Sequence, residues 1–417
     1  MERVILHADL NCFYAAVECL YHPEIRRKPV AVCGDPELRH GIVLTKNQRA
    51  KELGVTTGEA IWQAKRKAPE LVVMKPNYPL YLRFAKQARE IYCRYTDRVE
   101  PFGLDEAWLD VSAPGRGVAE GARLADEIRD RMRRELGLTI SVGVSYNKVF
   151  AKLGSDMRKP DATTAITREN YRSLVWPLPA AELLYVGRAT RRKLARLGIL
   201  TIGELARSDP ELLRGALGKW GYVLHGFANG WDRSPVGRMG EEELIQSIGN
   251  STTTPRDLES DAEVRTVIYV LAESVAARLR EHGFRCGTVQ IHVRDSDLIR
   301  YERQAQLAQP SDLSGEIAAL AMALFTGSYG WHRPVRSLGV RACGLRSSRA
   351  PQQLALWEDG ARAKAERMER AVDEVRRRFG YFSLQRGVVL GDRDIRQLNP
   401  REEHVIHPVS FFPENGV

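Results

Sequence analysis

The chain has 417 residues, too many for one ordinary core, and its 43% hydrophobic and 28% charged content is that of a globular protein of about three or four domains. No apolar run approaches the roughly eighteen residues of a membrane span, and Met1-Glu2-Arg3-Val4 leads into a strand-like run rather than a signal peptide, so no membrane role is expected. Six scattered cysteines without Cys-x-x-Cys spacing exclude a disulfide scaffold and a zinc site and point to the cytoplasm, while a net charge of +10 favours a polyanionic partner.

In chain order, Val4-Ile5-Leu6-His7-Ala8-Asp9 is a short apolar run that ends in a carboxylate, the pattern of a buried strand. Residues 9–18 read as a turn into a helix with Asn11 as its N-cap. Backbone N–H groups at that helix start, at Cys12, Phe13 and Tyr14, would cradle phosphate. Strands are predicted over 29–34 and 41–45, then a helix from Asn47 to Leu53 closed by Gly54. A helix over 58–68, a strand over 71–74 and a long helix over 78–96 follow. Tyr81, Ala85, Ala88, Ile91, Tyr92 and Tyr95 recur along that last helix near helical spacing and are assigned to core.

The next stretch, Phe102-Gly103-Leu104-Asp105-Glu106-Ala107-Trp108-Leu109-Asp110-Val111, sets two adjacent carboxylates between a glycine and an alternating apolar run. Neighbouring side chains on a strand point to opposite faces, so two adjacent acids that serve one site need a bend, which Gly103 can supply. Paired with the first strand, this one would bring Asp9 to Asp105 and Glu106. Three converging carboxylates cannot all stay ionised without a cation, and hard divalent ions take oxygen ligands. A pair of Mg²⁺ ions clamping a transferring phosphoryl group is the use that fits. An amphipathic helix over 121–136 (Leu124, Ile128, Met132, Leu136) and a central strand over 138–145 complete an order that predicts a ferredoxin-like α+β domain.

The pattern Asp9-x-x-x-Phe13-Tyr14-Ala15-x-Val17-Glu18, with Leu104-Asp105-Glu106-Ala107 and the stretch from Asn147 to Lys159-Pro160, resembles the signature of the Y-family DNA polymerases, in particular their DNA polymerase IV branch. The resemblance runs through residues 1 to about 345 and implies a multidomain α+β chain. Residues 1–10 and 76–166 would form a ferredoxin-like palm, 11–75 small fingers and 167–232 a helix-hairpin-helix thumb. A linker over 233–243, an α/β little finger over 244–346 and a tail over 347–417 would complete it. The resemblance also implies that Asp9, Asp105 and Glu106 are the catalytic ligands of two Mg²⁺ ions, with the Leu10 carbonyl on one of them. It makes Tyr14 a steric gate against a ribose 2′-hydroxyl, and it puts Thr45, Lys51 and Lys159 on the incoming triphosphate. The family's usual Tyr and Arg on the fingers helix are replaced here by Gln48 and Lys51; Lys51 keeps the charge without the bidentate fork of arginine.

Residues 183–199 resemble a helix-hairpin-helix whose turn, with Gly187, Arg188, Thr190 and Arg191, meets DNA phosphates without reading sequence. Tyr185 stands where such a turn normally has its first glycine. A second helix pair over 200–231 contains Gly218-Lys219-Trp220-Gly221, with Lys219 facing DNA. Residues 233–244 mix Pro, Gly and charge and read as a linker. The last domain is predicted to hold helices over 261–282 and 311–325 and strands over 287–294, 301–307 and 335–345. Alternating arginine and aliphatic residues on those strands expose a basic face over an apolar one. In the tail, Gln353-Leu354-Ala355-Leu356-Trp357 resembles the peptide by which bacterial polymerases engage a sliding clamp, which implies contacts from Gln353, Leu354, Leu356 and Trp357. Met368, Ala371, Val372, Val375 and Phe379 then form a helical stripe, expected to dock, that ends at Gly380.

Taken together, the resemblance implies a template-directed DNA polymerase of the low-fidelity translesion type, acting as a monomer on primer-template DNA and deoxynucleoside triphosphates, with a sliding clamp as partner. No acid cluster resembles a proofreading exonuclease. A nucleotidyl cyclase would share the palm and its acids but has no use for a thumb, a basic last domain or a clamp peptide. A catalytically impaired DNA-bridging relative would fit Gln48, Lys51 and Tyr185 but would not need all three acids.

Overall fold

The computed structural model describes residues 2–35, 41–241, 245–351, 360–392 and 394–399, so the peptide 353–357 lies outside the described residues. Residues 2–34 and 42–241 form one compact unit, and the described residues of 245–399 form a second. In the first unit, β1 (Ile5–Leu10) leads to α1 (Phe13–Tyr21), and β2 (Val30–Cys33), β3 (Val43–Lys46), α2 (Gln48–Glu52), α3 (Ile61–Lys67) and β4 (Val72–Met74) follow. Then come α4 (Tyr78–Tyr92), β5 (Val99–Phe102), β6 (Glu106–Asp110), α5 (Val118–Leu136), β7 (Ile140–Ser145), α6 (Lys148–Met157) and β8 (Thr163–Ile166). The helices α7 (Tyr171–Leu174), α8 (Arg188–Arg196), α9 (Ile202–Arg207), α10 (Pro210–Leu217) and α11 (Lys219–Ala228) complete it.

The main sheet has the order β5-β6-β1-β7-β8, with β1 antiparallel to both neighbours. All six residues of β1 are buried, as a strand covered on both faces requires. Leu6 and Ala8 pack with Ile91 of α4 and Ile128 and Met132 of α5. On the opposite face Ile5 and Trp108 pack with Ala151 of α6. That second face also carries His7 and Asp9, because side chains alternate along a strand. A smaller sheet, β3-β2-β4, closes over its own core of Ala31, Val43, Ala50 and Ala64. The helices α8–α11 share a core with Phe150 and Leu153 of α6.

Glycine sets how near α6 comes to the sheet. A methyl group at Gly143 on β7 would stand 1.8 Å from the Ala151 carbonyl oxygen and 2.5 Å from the Ser155 nitrogen. Helix backbone therefore lies directly on strand backbone.

Three expected details differ. Asn11 does not cap α1: its N–H bonds the Thr139 carbonyl and its side-chain oxygen takes the Ser141 hydroxyl, so the cap position falls to Cys12 in a left-handed conformation (φ 53°). The helix expected over 78–96 stops at Tyr92, and Tyr95 is half-buried with its hydroxyl on Glu127 and Arg131. Within 183–199 only α8 is an α-helix; a single 3-10 turn, Ala180–Glu182, precedes it.

The second unit consists of β9 (Ser247–Leu258), α12 (Asp261–Glu281), β10 (Phe284–Asp295), β11 (Arg300–Ser311), α13 (Ser314–Thr326), β12 (Val335–Ser347) and α14 (Gly360–Phe379). Its antiparallel sheet, β11-β10-β12-β9, packs one face on α12 and α13 through Val289, Ile291, Val340, Leu271 and Ile317. The helix α14 docks, but not by the apolar stripe: Met368 and Phe379 stand exposed, and Glu369 is its buried residue. Glu369 reaches Arg280 and Arg386, each at 3.1 Å, while Asp373 meets Arg280 at 2.6 Å and Arg376 meets Glu273 at 2.9 Å. Because α12 turns charged residues toward α14, the face that fits is the charged one, and each buried charge finds a partner. Beyond α14, Val389, Ile395 and Leu398 sink into the unit's core.

Gly143→Ala is expected to destabilise the first unit by about 3 kcal/mol or more, since helix backbone has to move. Gly215→Ala on α10, with nothing within 4 Å, is expected to stabilise by about 0.5–1 kcal/mol. Urea unfolding of the two variants beside the parent chain checks both.

Candidate active site

The end of β1 and the β5–β6 turn build the acid cluster. Asp9 lies opposite Glu106 in the β1–β6 register. Gly103 (φ 83°) makes the anticipated bend, and the Leu10 N–H donates to the Asp105 carbonyl at 2.9 Å, tying the turn to β1. Asp105 thus sits in the turn and Glu106 opens β6, so the three acids lie at the same end of the sheet, near enough for the charge of Glu106 to act on both others.

Their protonation follows from burial and mutual repulsion. Burial first, then the charge of Glu106, pushes Asp9 up to about 7 and Asp105 up to about 6. Lys159 pulls Asp9 the other way, but burial wins. Glu106 goes down to about 2: burial would raise it, and the contacts with His7 and Lys152 outweigh that. His7 itself is lowered to about 4 by complete burial, against the attraction of Glu106. The Lys159 ammonium lies 2.6 Å from Asp9 Oδ2 and 2.8 Å from Asp156 Oδ1; that of Lys152 lies 2.5 Å from Glu106 Oε2.

An all-oxygen set of buried carboxylates that already draws in two ammonium groups suits a hard divalent cation. Among the described residues, however, no three carboxylate, histidine or cysteine side chains lie close enough together to hold one metal ion.

At the start of α1, which follows β1, no side chain caps the first-turn N–H groups. Burial raises the Cys12 thiol, and the positive charges of Lys51, Lys46 and Lys159 oppose it, so three lysines surround this helix start. Thr45 is half-buried on β3 and Lys51 exposed on α2, while Gln48 bonds Glu52 at 3.2 Å along its own helix. Tyr14 is stacked on Tyr81 (4.3 Å, 10°) and edge-on to Tyr78, and the Tyr81 hydroxyl is held by Glu18. Burial and then the charge of Asp105 hold the Tyr14 hydroxyl above its ordinary range, which places the ring beside the acids.

Sequence reading missed His7, Lys46 and Lys152. Each had a signal: His7 shares the Asp9 face of β1, Lys46 follows Thr45, and Lys152 lies inside the 147–160 stretch.

Gly187, Arg188, Thr190 and Arg191 open α8, and Lys219 opens α11 after Gly218 (φ 66°). The two turns are neighbours, since the Tyr185 ring lies 5.5 Å from that of Trp220. Tyr185 occupies the left-handed region (φ 70°), a conformation that favours glycine.

The sequence matches the impB/mucB/samB family over residues 8–156 and that family's C-terminal domain over residues 245–356. It is 54% identical to DNA polymerase IV of Acetivibrio thermocellus over 95% of this chain and all of that protein. It is 36% identical to DNA polymerase IV 1 of Bacillus subtilis over 93% of this chain and 94% of that one. A solved Y-family DNA polymerase chimera, 22% identical, shares the fold with a TM-score of 0.72 over 82% of this chain and 99% of its own.

The fold is thus α+β, with a ferredoxin-like palm, small fingers, a helical thumb and a C-terminal α/β domain, and the relatives make the chain a nucleotidyl-transferring enzyme. The chain belongs to the Y-family DNA polymerases, in the DNA polymerase IV branch. It is a DNA-directed DNA polymerase of the translesion type, with the family's dependence on divalent metal and its DNA and deoxynucleotide substrates. Among the described residues no helix is long and apolar enough to cross a membrane.

Asp9 and Asp105 keep protons in the folded chain at pH values where an unfolded chain has released them, so their contribution to stability is present below about pH 4 and is lost as pH rises through about 7. With EDTA present, Asp9→Asn is therefore expected to gain stability relative to the parent chain between pH 5 and pH 8. Urea unfolding at the two pH values checks the sign.

Proposed function

We propose that Asp9, Asp105 and Glu106 hold two Mg²⁺ ions, with the Leu10 carbonyl on one of them, where a primer 3′-hydroxyl is joined to the α-phosphorus of a deoxynucleoside triphosphate and pyrophosphate leaves. The observation that carries this reading is the β1–β6 register, which sets Asp9 against Glu106 beside the turn that holds Asp105. When bound, the ions make the primer hydroxyl more acidic and offset charge on the leaving group.

The chain's own residues do the rest. Backbone N–H groups at Cys12, Phe13 and Tyr14 receive phosphate, and Thr45, Lys51 and Lys159 hold the triphosphate. Lys46 joins them, supported by its place beside Cys12 and Lys51. Tyr14 excludes a ribose 2′-hydroxyl, supported by the stack that fixes its ring. Gly187, Arg188, Thr190, Arg191 and Lys219 grip the DNA backbone from two adjacent turns.

In this reading residues 1–10 and 76–166 are the palm, 11–75 the fingers, 167–232 the thumb, 233–243 the linker and 244–346 the little finger. Gln353, Leu354, Leu356 and Trp357 engage a sliding clamp. The polymerase acts as a monomer in the cytoplasm, a setting that suits six free cysteines.

Primer extension with Mg²⁺ and the four deoxynucleotides tests the roles. Asp105→Ala is expected to lose on the order of 10²–10³-fold in rate; extension at the parent rate would sink the assignment. Tyr14→Ala is expected to incorporate ribonucleotides that the parent rejects.

A further inference from the structure

Glu18 is a carboxylate with only 4% exposure on α1, at a place where a leucine would pack with no charge to desolvate. It stands four residues after Tyr14, so both side chains leave the same face of the helix. That face meets Tyr81 of α4, and Tyr81 is fully buried. The Tyr14 ring lies flat on the Tyr81 ring at 4.3 Å and 10°, while the Tyr81 hydroxyl donates to Glu18 Oε1. Tyr78 closes the cluster edge-on to both rings, at 6.1 and 6.0 Å. The other Glu18 oxygen faces the half-exposed His22 ring at 3.9 Å, beyond hydrogen-bond reach. Burial, then the bond to Glu18, hold the Tyr81 hydroxyl above its ordinary range, so it stays a donor.

We infer that Glu18 is a positioning residue for sugar discrimination: by holding the Tyr81 hydroxyl it locks the ring on which Tyr14 rests, so a ribonucleoside triphosphate meets Tyr14 as a backed wall. This deepens the gate reading of Tyr14 and rests on it. Two stacked rings resist being pressed together but slide over one another at little cost, since several offsets are nearly equal in energy. A charge-assisted bond at the far end of the lower ring removes that slide. One turn of α1 thus carries both the gate and the anchor of its support, and neither Glu18 nor Tyr81 has to touch the nucleotide.

Insertion of one deoxynucleotide, and of its matched ribonucleotide, by the full chain on primer-template DNA gives the ratio of the two kcat/KM values. Tyr14→Ala sets the ratio of an absent gate. Glu18→Leu is expected to lower the parent ratio by about tenfold through faster ribonucleotide insertion, with deoxynucleotide kcat/KM within about twofold. Glu18→Gln, whose carbonyl oxygen can accept from Tyr81, is expected to recover most of the ratio, which restored packing alone does not do. Should Glu18→Leu not fold, because it strands the Tyr81 hydroxyl, the double variant Glu18→Leu/Tyr81→Phe removes both partners and is expected to show the same fall. If Tyr14→Ala admits ribonucleotides while Glu18→Leu or the double variant keeps the parent ratio, or if Glu18→Gln recovers nothing, Glu18 does not position the gate. If Tyr14→Ala keeps the parent ratio, Tyr14 is no gate and the inference falls with it.

Discussion

Three carboxylates gathered at one end of a buried sheet repel one another, and much of the first unit is arranged around what offsets that repulsion. The offset comes from α6 and the residues just after it, which place Lys152 on Glu106 and Lys159 on Asp9. They reach because α6 lies on β7 with no side chain between them at Gly143. The helix's other side enters the core of α8–α11 through Phe150 and Leu153. One helix therefore sets the charge balance of the acids and anchors α8–α11. A shift in its position would be felt at both places.

The acid cluster was legible because it obeys short-range rules: period-two strands, a carboxylate at a strand end, a glycine where a bend is needed. Asn11 shows where such rules stop. An N-cap preference is local, whereas its side chain is claimed by Ser141 on β7, far along the chain. His7, Lys46 and Lys152 escaped for a related reason. A buried histidine reads as core and a lysine as solvated surface until the third dimension supplies their partners. Tyr185 was noticed as the residue replacing a glycine, and its positive φ shows the turn keeps its shape without one. The Trp220 and Phe227 rings, each tilted against it, show what the exchange supplied: a side chain that packs one turn on the next.

The C-terminal helix illustrates a different limit. Its apolar stripe was visible in the sequence, yet the stripe shows which side is oily, not which side finds a partner. On α12 the available surface offers Glu273 and Arg280, so α14 meets it with Glu369, Asp373 and Arg376. Fully paired charges of this kind add less free energy than their number suggests but demand one arrangement, because any slip strands a charge.

That docking changes the character of the segment containing 353–357. It runs between Ser347, where β12 ends, and Gly360, where α14 begins, and both ends belong to the second unit. With both ends held, at roughly 3.5 Å per residue no residue between them can lie more than about 23 Å from the nearer end. Anything that gripped this join would therefore have to come within that distance of the second unit.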